Sequence, residues 1–229
     1  MAICHTHQEN TVINSHATPL RFFYHPQSRA RMVRWMLEEC EAPYEAVRLE
    51  FGTTMKAPDY LAVNPMGKVP ALQHGNTVIT ETGAILAYLA DLYPDQKLAP
   101  AMNEPARGTY YRWLFFVAGP VEAAFTAKSE GWLDHQTAKQ ALSAGYGRYD
   151  DVVRSLQLAV RGKRYVCADH FTAADLYLAS YIGWGMLDGS LPALPEFKAY
   201  AEPLLQRPAS LRGDQLDGPM ELPSDAISA

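Results

Sequence analysis

The chain has 229 residues, 48% of them hydrophobic and 20% charged, which is enough for two ordinary cores without disulfides or metals. A formal net charge of −5 leaves no basic excess to follow a phosphate backbone, so nucleic acid is not an expected partner. The three cysteines, Cys4, Cys40 and Cys167, lie far apart with no CxxC pair or Cys/His ligand spacing, a pattern that suits a reducing compartment and argues against a structural zinc site.

Residues 1–18 lack the basic start and apolar stretch of a signal peptide and read as a flexible N-terminal arm. His5, His7 and His16 in that arm have no helical or turn spacing that would fix a metal. No run approaches the roughly 18 apolar residues needed to span a bilayer, so no membrane association is expected and the cytoplasm is the expected location. From Leu20 to Tyr24 an apolar and aromatic run reads as a strand, broken by His25-Pro26-Gln27-Ser28. A helix follows from about Ser28 to Cys40, with Ala30, Val33, Leu37 and Cys40 on its apolar stripe. Tyr44 to Leu49 is a second strand, which makes the opening a βαβ unit with parallel pairing, and a polar connection runs from Phe51 to about Val63. Residues 71–73 and 77–80 flank His74-Gly75-Asn76 as a hairpin. Glu81-Thr82-Gly83 then opens a helix carrying Ile85, Leu86, Leu89 and Leu92 and ending before Pro94.

Beyond Pro105 the strand signals stop. The segment from Arg107 to Glu130 places Tyr110, Trp113, Leu114 and Val117 on one helical face, and Tyr149, Val152, Val153, Leu156 and Val160 repeat the pattern. The second half is therefore a helical bundle. The Gly, Pro, Asp and Ser content after Arg212 predicts a weakly ordered tail. The expected division is an arm at 1–18, an α/β domain at 19–94, an all-helical domain at 104–211 and a tail at 212–229.

Three signals in order make the chain resemble the cytosolic glutathione transferases over almost its whole length. Asn64-Pro65-Met66-Gly67-Lys68-Val69-Pro70-Ala71-Leu72 is similar to the family's loop into the third strand, Glu81-Thr82 to its acidic-plus-hydroxyl pair at a helix start, and Asp169 to Leu176 to its buried capping box. The resemblance implies a thioredoxin-like N-terminal domain followed by an all-helical bundle, glutathione as co-substrate, a two-fold homodimer and a role in detoxification. It implies a cis peptide at Pro70, with the Val69 N–H and C=O pairing antiparallel with the cysteinyl part of glutathione. It implies further that Thr82 and the helix N-terminus take the γ-glutamyl carboxylate and that Glu81 takes the α-amino group. Lys68 is a candidate for the glycyl carboxylate. Thr172 and Asp175 are a folding device, with Phe171 packing on Leu176 as the staple.

The thiol of glutathione needs help to ionise at neutral pH, because an ordinary thiol titrates near about 8.5. Ser28 stands where the serine-type classes place their catalytic hydroxyl and Tyr24 where the tyrosine-type classes do. Ser28 is better placed because it begins the helix, whose N-terminus favours negative charge. No cysteine lies near Arg29, which disfavours the cysteine-using glutathione-disulfide reductases and the isomerase branch with a Ser-Ser-Cys signature. Cys40 reads as a small buried hydrophobe. Tyr110, Trp113 and Phe116 are the candidates for a hydrophobic pocket holding a small electrophile, although the three cannot all share one helical face. Two other readings remain: a glutathione-dependent peroxidase, dehalogenase or isomerase, which shares these motifs, and a non-catalytic binding or regulatory protein of the starvation-protein type, which would tend to lose the glutathione contacts that Val69-Pro70 and Glu81-Thr82 retain.

Overall fold

The computed structural model describes residues 19–220. β1 (Leu20–Tyr24) leads through a turn to α1 (Ala30–Glu39) and β2 (Tyr44–Arg48), and β1 and β2 pair in parallel from Leu20↔Tyr44 to Tyr24↔Arg48. A 3-10 turn (Thr54–Lys56) and the short α2 (Pro58–Leu61) fill the connection that the sequence shows only as polar. Met55 and Tyr60 there bury the face of β1 that carries Phe23, so β1 is covered on both sides and shows no period of two. β3 (Ala71–His74) runs antiparallel to β1 and forms a hairpin with β4 (Thr77–Thr80), which gives the sheet order β2-β1-β3-β4. α3 (Thr82–Leu92) closes this half on the sheet face that carries Phe22 and Leu72.

The connection after α3 is pinned at two points. Arg107 donates to both Asp91 oxygens at 2.7 and 2.9 Å and to the Pro100 carbonyl at 2.9 Å, while the Ala173 N–H donates to the Leu98 carbonyl at 2.8 Å. The second half is helical: α4 (Ala106–Phe116), α5 (Glu122–Ser129), α6 (Ala138–Ser143), α7 (Tyr149–Val160), α8 (Ala173–Asp188), α9 (Pro195–Leu205) and α10 (Pro208–Asp217). A π-helical turn, Val117–Val121, joins α4 to α5 and contains Pro120. Pro120 has no N–H to give to an i−4 carbonyl, so the ladder widens there while the helix continues. The described core is continuous across both halves, from Phe22 and Leu86 to Leu176 and Phe197.

Two differences from the sequence reading have one cause. The α1 face expected to be apolar is buried, but so are Met32, Arg34 and Trp35 on its other side, because α10 packs there. α10 is helical through Asp217, beyond the boundary expected at 212, and Asp217 forms a 2.6 Å ion pair with the buried Arg34. Short polar stretches look like tails until a buried partner for their charges is known. The arm expected at 1–18, with its three histidines, lies outside the described residues, as does 221–229.

The capping box forms as expected: the Thr172 N–H and hydroxyl donate to Asp175 Oδ2 at 2.9 and 2.8 Å. Phe171 stacks on Trp35 of α1 with ring centroids 5.9 Å apart, so the capped end of α8 also ties the two halves together. Among the described residues no helix is long and apolar enough to cross a membrane and no cluster of His, Cys, Asp or Glu could hold a metal. Cys40 and Cys167 are free; burial pushes the Cys40 thiol up to about 12, with the Glu39 carboxylate adding to it.

Candidate active site

The loop before β3, the start of α3 and the start of α1 present the site residues. In the loop, Gly67 has φ +57, and a Cβ there would lie 2.6 Å from the Met55 carbonyl oxygen, so only glycine fits this close approach. The Lys68 carbonyl accepts from the Tyr60 hydroxyl at 2.6 Å and from Asn64 Nδ2 at 2.8 Å, which fixes the next peptide unit, while the Lys68 side chain is exposed. The Val69–Pro70 bond is cis. No hydrogen bond among the described residues uses the Val69 N–H or C=O, which leaves one donor and one acceptor side by side at the end of the sheet.

Glu81 is exposed and holds φ +67, ψ 118, a region that non-glycine residues rarely occupy. Thr82 behind it is buried and begins α3. Among the described residues no side chain caps this helix, so its first N–H groups present their partial positive charge. Gly83 packs against Tyr177 of α8, where a Cβ would lie 3.4 Å from the ring. Burial pushes the Tyr177 phenol up; Glu122 and Glu81 add to the effect and Arg29 opposes it.

α1 begins at Ala30, two residues after Ser28. Ser28 is buried, accepts from the Ala30 N–H at 3.1 Å and donates to the His25 carbonyl at 2.7 Å. Its hydroxyl therefore marks the N-terminal end of α1, where the sequence expects it. The Tyr24 ring is stacked on Phe22 at 5.4 Å and lies under the Arg34 guanidinium at 4.2 Å. The geometry thus distinguishes two residues that the sequence leaves as alternatives: one hydroxyl stands at a helix N-terminus, and one ring is held in a cation–π stack.

Tyr110 and Trp113 are core residues at 0% and 4% exposure, and half-buried Phe116 meets Trp113 edge to face. None of the three lines the cavity of 790 Å³ that opens between α1, α8 and α10, whose walls include Met32, Trp35, Trp184, Leu187 and Leu205. The cavity adjoins the start of α1: Gln27 Nε2 donates to the Pro219 carbonyl at 2.9 Å and Trp184 lies beside the Arg29 guanidinium at 5.9 Å. Sequence reasoning missed this wall. Arg29, Trp184 and Pro219 are far apart along the chain, and no spacing joins them.

This arrangement has a counterpart among known proteins. The family model for the glutathione S-transferase N-terminal domain matches residues 18–91. Glutathione S-transferase 2 of Schizosaccharomyces pombe is 32% identical over 163 residues, covering 68% of this chain and 69% of its own length. Glutathione S-transferase GstA of Escherichia coli O157:H7 is 28% identical over 198 residues, covering 82% of this chain and 94% of its own. A sphingomonad glutathione S-transferase solved in complex with glutathione superposes with a TM-score of 0.71 at 29% identity, over 86% of this chain and 98% of that one. The chain belongs to the glutathione S-transferase family.

Proposed function

We propose that the protein is a cytoplasmic glutathione transferase that binds glutathione on residues 19–94 and presents its thiolate to a small hydrophobic electrophile received by residues 104–211, with detoxification as its role. The observation that carries the reading is the convergence of three features: the unpaired Val69 N–H and C=O, the N-terminus of α3 with no side-chain cap among the described residues, and the Ser28 hydroxyl at the start of α1.

Glutathione is an extended tripeptide with a carboxylate at each end. Its cysteinyl backbone pairs with Val69, held in place by Pro70 and the anchored Lys68 carbonyl. Its γ-glutamyl carboxylate meets the first N–H groups of α3 and the Thr82 hydroxyl, and Glu81 takes the ammonium group. The Lys68 ammonium is within the loop that faces the glycyl carboxylate. The sulfur then lies toward α1. A thiolate is a stronger acceptor than the His25 carbonyl, so a rotation of the Ser28 side chain redirects its proton to sulfur, and the helix N-terminus favours the charge. Lowering the thiol pKa by two units requires about 2.7 kcal/mol, within reach of one charge-assisted bond plus the helix end. The electrophile is received from the side of the 790 Å³ cavity, where Trp35, Trp184 and Leu187 offer apolar surface. Met66, Met102 and Phe115, large apolar side chains left exposed, support a homodimer, which sedimentation at micromolar concentration tests directly.

Calorimetric titration with glutathione, followed by turnover with halonitrobenzenes, hydroperoxides and isothiocyanates, tests the proposal and separates transferase from peroxidase chemistry. Glu81→Ala is expected to weaken binding by about 1.5 to 3 kcal/mol with the fold intact. No binding heat for the wild-type chain refutes the proposal, and an unchanged affinity in Glu81→Ala removes Glu81 from the site.

A further inference from the structure

The residue after Ser28 is tied to the opposite domain. Arg29 Nε donates to Glu122 Oε2 at 3.0 Å and to the Tyr181 hydroxyl at 3.3 Å, and its Nη2 donates to Glu122 Oε1. Glu122 is the first residue after the Val117–Val121 π turn. The extra residue in such a turn rotates everything after it by about 100° around the helix, so the turn decides that Glu122 faces α1. Other ion pairs join α1 to the helical half, but they are farther from the sulfur site or already saturated. The Arg34 guanidinium of the Arg34–Asp217 pair stacks over the Tyr24 ring, and Arg31 is held by Asp214 and by the Pro26 and Gly218 carbonyls. Arg29 and Glu122 keep side-chain exposures of 46% and 30%, so this pair is partly open to solvent next to the catalytic turn.

We propose that the Arg29–Glu122 pair regulates the charge felt by the sulfur of bound glutathione, with both residues acting as positioning residues for the thiolate. This rests on the reading that glutathione binds with its sulfur at Ser28. A cation beside a thiolate favours the charged form and a carboxylate disfavours it. Paired, the two nearly cancel, and the bidentate contact holds the guanidinium toward α5 rather than toward sulfur. The other ionisable groups facing the pair are Tyr181 and Tyr177 of α8 and, across the seam, Glu81 at the start of α3. Burial pushes the Tyr177 phenol up, so Glu81 is the remaining charge, and the glutathione ammonium neutralises it in the complex.

The charge account and a purely mechanical one differ in sign. If the pair only fastened two domains together, breaking it from either side would disturb the thiolate in the same direction. If it balances charge, the two single variants move the thiolate in opposite directions. The experiment follows the ultraviolet absorbance of the bound thiolate against pH at low ionic strength, with glutathione affinity measured in parallel by calorimetry. Glu122→Gln frees the guanidinium and is expected to lower the thiol pKa by about 0.5 to 1 unit, the effect of one charge at a partly solvated site. Arg29→Gln exposes the carboxylate and is expected to raise it by a similar amount. The double variant returns near the wild-type value, Arg29→Lys stays close to it, and added salt shrinks both shifts. If Arg29→Gln does not fold, the test is the fall in Glu122→Gln together with its shrinkage in added salt, and a fall that salt leaves unchanged overturns the charge account. Shifts of the same sign, or none in either variant despite normal glutathione binding, overturn this inference and leave the proposed function standing. No glutathione binding by the wild-type chain overturns both.

Discussion

Asp175→Ala is the substitution whose cost the structure allows to be worked out most fully. The carboxylate is completely buried and accepts four hydrogen bonds: from the Val166 N–H at 2.7 Å, the Thr172 N–H at 2.9 Å, the Thr172 hydroxyl at 2.8 Å and the Tyr200 hydroxyl at 2.7 Å. Burial pushes its carboxyl up, and these bonds oppose the shift. With the side chain gone, the Thr172 hydroxyl can still turn to Cys167 Sγ, 3.4 Å away. Among the described residues the Val166 and Thr172 N–H groups and the Tyr200 hydroxyl have no other partner. At about 1 to 3 kcal/mol for each buried orphan, partly relieved by water entering the space, the loss is about 3 to 6 kcal/mol. A typical domain has only about 5 to 15 kcal/mol in total, so the variant should be largely unfolded at moderate urea. The assay is equilibrium urea unfolding, read as a fall in midpoint at constant m. Asp175→Asn should fall between wild type and Ala, because its amide nitrogen faces donors. A loss below about 1 kcal/mol in Asp175→Ala would show that the network is not fully desolvated and refute the reasoning.

The other predictions concern the site and its supports. Ser28→Ala should raise the apparent pKa of kcat/KM while also costing about 0.5 to 2 kcal/mol of stability as a lost helix cap, whereas Tyr24→Phe should leave the pKa in place; the reverse outcome in a pH profile makes Tyr24 the activating residue. Gly67→Ala combines positive φ with a collision against the Met55 carbonyl, so it should lower stability by about 1 to 3 kcal/mol and weaken glutathione binding, and normal affinity would show that the loop can shift without cost. Cys40 holds its proton up to about 12 in the folded chain. The unfolded chain loses that proton near about 8.5, so this contribution to stability is complete below that value and declines as pH rises above it. Urea midpoints between pH 8 and 10 should therefore fall less steeply in Cys40→Ala, and an unchanged slope would contradict the buried-thiol account.

Local chemistry wrote much of this protein in plain form. β1, the β3–β4 hairpin and α3 are read from short-range patterns and from the breakers at Pro26, Gly75 and Pro94, because apolar runs, turn chemistry and proline geometry act within a few residues. The cis Val69–Pro70 bond and the Thr172–Asp175 box are legible for the same reason: each acts on backbone groups only one to three positions away. What the sequence could not show depends on contacts between residues far apart in the chain. Arg34 looks like a surface charge until α10 delivers Asp217 to it, and the fate of the stretch after 212 is decided by that pair. Tyr110 and Trp113 are aromatics at helical spacing, equally suited to a pocket or a core, and only the packing of α4 against α8 makes them core. Arg29 and Glu122 are separated by 93 positions, and the π turn that aligns them has no signature beyond Gly119-Pro120. Periodicity reports which face of an element is apolar, but only tertiary structure determines what covers that face, and therefore which buried charges are paired and where a cavity remains.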